Sequence, residues 1–291
     1  MCDYRAVPAR GRGRRVSMGA VSGTGALRAH LVEARLAGTL ATPREKSLAR
    51  YRLFAARDPR ALLGLDPVGE WPVGEVLRLM ARRCGVAADP ARTRGPNVID
   101  PDRTLAALDR FADRIAAAAA RRAPVLFGTG HPDRLLEFYA ALAGGLTAAG
   151  CVVVTPGRGL PVRMTTSFGV RTYVLDYVRG VALVRGTGVG GASAKGRVHT
   201  HSPLPVRLAL AAAAEGGGPL PELVVGDHGW ICGAGQLGFE AIGLADADDP
   251  GPFVGEAEGR VCAVVPLDDG VAGEHYGPLW RYVLNRAELP W

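Results

Sequence analysis

Four of the six histidines in this 291-residue chain stand in short strings with glycine, serine or aspartate: GTGHP at 128–132, HTHSP at 199–203 and GDHG at 226–229. Each type of residue has a use. In extended backbone His199 and His201 project to the same side, because alternate side chains share a face. Two such imidazoles suit a divalent metal, a hydrogen bond to substrate, or simple loop structure. The string lacks the Asp and His that follow HxH in metallo-β-lactamase-like hydrolases. Asp227 and His228 sit between Gly226 and Gly229 at the end of the apolar run ELVVGD. There Asp227 can orient a histidine, bind a cation, act as a base, or cap the next helix. Gly128, Thr129, Gly130 and His131 join another apolar run to Pro132, a preferred first residue of a helix. Free amides at that helix start would face a phosphate or carboxylate, with His131 as ligand, acid or donor, unless glycine is there only for the turn.

Weaker candidates surround these. Arg158 and Arg163, in PGRGLPVR, carry forked donors that match a phosphate. DADDP, with Asp246, Asp248 and Asp249, approaches the DxD of aspartyl-phosphate phosphatases, but Pro250 stands where Thr or Val is needed, leaving an acidic cation-binding loop. Glu256 and Glu258 in FVGEAEGR read as surface positions or contributors to the same cleft. GTGVGGASAKG at 186–196 contains a formal GxGxxG, yet no helix follows it directly, and Lys195 precedes Gly where a P-loop needs Ser or Thr. Its composition predicts a mobile flap. His30 and His275 fall on predicted helices and read as structural.

The elements that must position these residues follow from punctuation and period. Thr42, Pro43 and Glu45 form a capping-box pattern predicting a helix over 43–57, and further helices are expected over 72–84, stopped by Gly85, and from Asp100 to about 122. Beyond Pro124 the runs VLFG, CVVVTP, ELVVGD, AIGLAD and CAVVPLD alternate with helix-length segments, the pattern of a mostly parallel sheet. TYVLDYV and VALVRG flank Arg179 and Gly180 as a hairpin, which makes the sheet mixed. The expected architecture is an α/β domain over 18–291 with helices on both faces of the sheet. A helical part covers about 24–122 and a sheet-forming part about 123–291. Residues 1–17 read as a disordered basic arm, or as sequence upstream of a start at Met18.

Composition narrows the function classes. Of the net charge of +7, the first 17 residues supply +4 through five arginines against Asp3, so the body of the chain is nearly balanced and a nucleic-acid partner is not expected. Five cysteines without CxxC spacing argue against a disulfide framework or a thiolate zinc site. With no apolar run of about 18 residues, no membrane span or signal segment is expected, and a cytoplasmic location follows.

GTGHP, HTHSP, GDHG and FVGEAEGR, in this order, resemble a family of actinobacterial proteins labelled simply phosphatase, over roughly 25–285. The resemblance implies a phosphate-ester hydrolase of Rossmann-like α/β type. Combined with the residues themselves, it gives the expectation of a phosphomonoesterase acting on a small phosphorylated metabolite. Phosphate would lie at Gly128–His131 with Arg163, and chemistry at His199, His201, Asp227 and His228. A divalent ion such as Mg or Mn on His199, His201 and Asp227 would activate water, whereas a metal-free version uses His228 or His131 as acid, oriented by Asp227. A lyase, isomerase or cyclase on a sugar phosphate or acidic metabolite, or a non-catalytic nucleotide- or metabolite-binding protein, would use the same residue set. Oligomeric state is not encoded legibly.

Overall fold

The computed structural model describes residues 18–166, 169–187 and 196–291. The basic arm expected over 1–17 and residues 188–195 of the expected flap lie outside the described residues.

Chain order begins with α1 (Met18–Glu33), β1 (Gly38–Pro43), α2 (Arg44–Ala55), α3 (Pro59–Leu62), α4 (Val73–Cys84), β2 (Pro96–Ile99) and α5 (Pro101–Arg121). Two of the expected helix ends are where their punctuation puts them. Gly85 caps α4 at φ 83°, and the Asp100 side chain accepts the Asp102 amide at the start of α5. Leu105, Leu108, Phe111, Ala112 and Ile115 recur at helical spacing and bury one face of α5, each large side chain contributing about 1.5–3 kcal/mol. The Thr42–Glu45 capping box does not form. Residues 38–43 are instead a strand paired antiparallel with β2, α2 starts after an extended Pro43, and the Thr42 hydroxyl faces Asp246 Oδ2. Tertiary pairing has overridden a local pattern.

Next come β3 (Val125–Gly128), α6 (Pro132–Ala148), β4 (Pro161–Thr166), β5 (Gly169–Val178), β6 (Val181–Gly186), β7 (Arg197–Val198) and α7 (Leu204–Glu215). The chain closes with β8 (Leu223–Asp227), α8 (His228–Gln236), β9 (Glu240–Ala245), α9 (Pro250–Ala257), β10 (Ala263–Pro266) and α10 (Gly277–Arg286). The large sheet runs β10-β9-β8-β3-β6-β5-β4, with β7 also on β6. Strands β10 to β6 are mutually parallel, and β5, β4 and β7 add antiparallel pairs, so the sheet is mixed and mostly parallel. The β5–β6 hairpin turns at Arg179 and Gly180 as expected. Helices α5, α6 and α10 pack on one face, and α7, α8 and α9 on the other. One hydrophobic core includes side chains from α1 through α10.

The run CVVVTP is not a strand. Its Val153 makes a single bridge to Val125, and from Phe127 onward β6 occupies that side of β3. One short strand cannot pair twice along the same edge, so the run peels away. The same economy builds the site. β3 ends against Ala182 in the first half of β6, and β7 pairs with Val184 and Arg185 in the second half. Strand β7 therefore delivers the HTHSP turn directly beyond the end of β3.

Candidate active site

Four of the five parallel strands, β3, β8, β9 and β10, lead into turns on the same side of the sheet, where open α/β sheets bind ligands. The turns that follow them bring Thr129, Gly130 and His131, then Asp227 and His228, then Asp246, Asp248 and Asp249, and finally Asp268 and Asp269. Thr200 ties the HTHSP turn in place, its amide donating to the Gly130 carbonyl at 2.9 Å. Two glycines allow this approach. A Cβ on Gly130 would fall on the Thr200 carbonyl, and one on Gly229 would lie 2.5 Å from the carbonyls of His201 and Ser202.

Four histidine rings meet there. His131 lies 4.0 Å from His199, 4.4 Å from His228 and 5.5 Å from His201, centroid to centroid, and His201 stacks on His228 at 3.9 Å. Nitrogen faces nitrogen: His228 Nε2 is 2.9 Å from His131 Nδ1, and His201 Nε2 is 2.9 Å from His199 Nε2. His228 is fully buried and holds φ at +42°, a backbone state that a non-glycine residue rarely adopts and that concentrates at functional sites. Its Nδ1 is 3.0 Å from Asp249 Oδ2 and its Nε2 3.1 Å from Asp269 Oδ2. Neither the His228 Nδ1 nor the Asp269 Oδ2 contact has the alignment of a hydrogen bond, so two buried polar atoms are left without one.

Charge is strongly structured. Burial opposes a charged His228, but Asp249 and Asp269 outweigh it and raise its pKa well above the ordinary imidazole value. Burial, then the charge of His228, depresses His201 to about 2. Desolvation and the adjacent His131 depress His199 to about 4, although its ring stands at the exposed mouth. Asp249 is buried, yet His228, His201 and Arg50 carry its pKa well below the carboxylate range. Burial alone would raise Asp227; His131, the charge of His228 and the Gly130 amide hold it at about 2.

The structure thus gathers His131, His199, His201, Asp227 and His228 at one place, with Gly128, Thr129 and Gly130 beneath them. It corrects three expectations about their use. The amides of Thr129, Gly130 and His131 do not face an incoming phosphate: they donate to Ala182 O, Asp227 Oδ1 and Thr129 Oγ1. The anion bound by this loop is the carboxylate of Asp227, whose Oδ2 also accepts from Thr129 Oγ1 at 2.7 Å. Both Asp227 oxygens are engaged by Gly130 and Thr129, and the groups of metal donors found among the described residues include neither it nor His199. Instead His131, His201 and His228 each offer a nitrogen within 4.8 Å of the others, and His228, Asp249 and Asp269 form an overlapping set. Arg163 is exposed and does not line the cleft, to which β4 contributes Met164, Thr165 and Thr166. Arg158 is likewise spent on Asp176 and the Tyr177 carbonyl.

That cleft, about 600 Å³, opens beside the histidines and is lined by His199, His201, Met164, Tyr173, Arg50 and Arg60. Arg50 Nη2 is 2.6 Å from Asp249 Oδ1, and Lys46 Nζ is 2.9 Å from Asp248 Oδ2. Sequence reasoning missed Arg50, Lys46 and the pair Asp268–Asp269. Only the last was findable, since PLDD follows an apolar run just as GDHG does. Glu256 and Glu258 pair elsewhere, with Arg83 and Arg110 and with the 68–71 loop. His30 does serve structure, its Nε2 lying 2.8 Å from the His275 carbonyl.

A strand-end cluster of imidazoles and carboxylates on a mixed α/β sheet is the setting of a ligand-binding site, and comparison with known proteins identifies the family. The chain matches the family described as Phosphatase over residues 22–290 and belongs to it. It is 40% identical to the protein named phosphatase SCO2771 of Streptomyces coelicolor over 262 residues, which cover 89% of this chain and 94% of that relative. The family resemblance seen in the four sequence strings is borne out. Among the described residues no helix is long and apolar enough to cross a membrane.

Proposed function

We propose that this phosphatase-family chain hydrolyses phosphomonoesters of small metabolites, with a divalent metal held by His131, His201 and His228. The observation carrying this reading is that His131, His201 and His228 each offer a nitrogen within 4.8 Å of the others, beside the overlapping set His228, Asp249 and Asp269, with His228 Nδ1 and Asp269 Oδ2 buried and without hydrogen-bond partners. Such atoms are costly unless something compensates them. Nitrogen-rich donors suit a transition ion, so of the two ions expected Mn fits better than Mg. When bound, the ion would supply positive charge against phosphoryl oxygens and make a water molecule more acidic.

The remaining work falls to the protein. Arg50 and Arg60 line the cleft, paired with Asp249 and Asp58, and their remaining donors favour an anionic substrate there. His199, at the mouth and neutral at physiological pH, accepts the proton of the attacking water. Asp227 acts as a positioning residue: by binding Thr129 and Gly130 it fixes the turn that presents His131.

The test is phosphate release from a panel of phosphomonoesters and phosphodiesters by metal-loaded protein, before and after chelation. Monoester hydrolysis lost on chelation, restored by Mn and abolished in His201→Ala supports the reading. Release that a chelator leaves untouched overturns the metal assignment. Substrate conversion without inorganic phosphate would instead identify a lyase or isomerase.

A further inference from the structure

We propose that Asp246, Asp268 and Asp269 hold a second divalent cation beside the imidazole-held one, with Asp269 facing both. The inference rests on the metal reading above and extends it. Each of the three carboxylates offers an oxygen within 4.8 Å of the others, and their residues are only 4%, 5% and 7% exposed. Two are aimed by their own backbone: Asp246 Oδ1 accepts the Ala247 amide at 2.5 Å, and Asp268 Oδ1 the Gly270 amide at 2.9 Å. The third has a buried oxygen without a hydrogen bond, Asp269 Oδ2, at the junction of this group with the imidazoles. Asp269 also spans the two groups of donors, its Oδ1 lying 3.8 Å from His131 Nε2 and its Oδ2 3.1 Å from His228 Nε2.

Charge balance points the same way. The two basic side chains that α2 brings to this wall are already paired, Lys46 with Asp248 and Arg50 with Asp249. Asp246, Asp268 and Asp269 are buried against one another, and of the three only Asp269 faces His228 among the described contacts. Buried carboxylates in this situation share protons or bind cations. An all-oxygen donor set with two backbone-oriented carboxylates suits a hard ion such as Mg or Mn. Paired ions about 3.5–4 Å apart are the arrangement that clamps both the attacking and the leaving oxygen in phosphoryl transfer.

Elemental analysis and electron paramagnetic resonance of the full chain loaded with Mn decide the matter without reference to activity. Two Mn per chain with a spin-coupled signal are expected, falling to one Mn with an uncoupled six-line signal in Asp246→Asn and in Asp268→Asn, with circular dichroism unchanged. One uncoupled Mn in the wild type removes the second site and leaves the first standing. No bound Mn overturns both. Two Mn retained in both variants would refute the placement, and the wild-type stoichiometry and coupling decide the question even if a variant does not fold.

Discussion

Gly130 and Asp227 are joined across adjacent strands, the amide of one donating to Oδ1 of the other at 2.6 Å. With the Thr129 hydroxyl on Oδ2, this pair ties the end of β3 to the end of β8. Asp227→Ala leaves two buried donors unanswered, so it should destabilise the protein by roughly 2–4 kcal/mol, measured by urea unfolding. Asp227→Asn, which keeps an acceptor, should recover part of that loss. Equal stability of all three proteins would contradict the tie.

Close approach of the 130 and 200 turns makes a second prediction. Gly130→Ala places a methyl group against the Thr200 carbonyl, and the HTHSP turn must retreat. A displacement of about 1 Å costs on the order of a hundredfold in rate, while overpacking costs about 1–3 kcal/mol. Turnover should therefore fall much further than thermal stability does. A variant with native kcat would show that the turn tolerates displacement.

The two arginine assignments separate cleanly. Arg50→Ala removes a donor from the cleft wall and bares Asp249, so KM for a phosphorylated substrate should rise about tenfold or more, the worth of one charge-assisted hydrogen bond. Arg163→Ala should change KM less than about twofold, because the residue is exposed and does not line the cleft. Steady-state kinetics on both variants test this, and the reverse order of effects would relocate the substrate.

Glu258 predicts an acid-side behaviour remote from the site. Burial would raise its pKa, but the Trp71 indole and the amides of Gly69 and Val68 lower it below the ordinary glutamate value. A depressed carboxylate stabilises the fold fully above its unfolded pKa, and that stability is lost as pH falls through the folded value. Glu258→Gln should therefore lower the melting temperature at pH 7, with the gap to wild type closing below about pH 4.5. A gap that is constant across this range would mean that the carboxylate charge contributes nothing.

How much of this was legible in the chain depends on the range of the signal. VLFG, ELVVGD, AIGLAD and CAVVPLD carry their strand character and their terminating residues locally, so four parallel strands could be read, and with them the turns bearing His131, Asp227 and His228. The placement of His199 and His201 beside them depends on β6 being shared by β3 and β7, a fact of pairing that no local pattern encodes. Thr42 shows the converse, where a clear capping pattern yields to a strand partner more than 50 residues away. Lys46 and Arg50 are ordinary helix-surface residues by sequence, and only the packing of α2 against α9 brings them to Asp248 and Asp249. The amides of 129–131 were readable as an anion site, but which anion fills it was not, because Asp227 is nearly 100 residues distant.

The most direct test of the account is anomalous diffraction from crystals of the full chain grown with Mn. The account predicts a strong peak about 2.0–2.3 Å from one nitrogen each of His131, His201 and His228. Peaks found elsewhere on the molecule, with these three rings hydrogen-bonded only to one another and to Asp249 and Asp269, would contradict it.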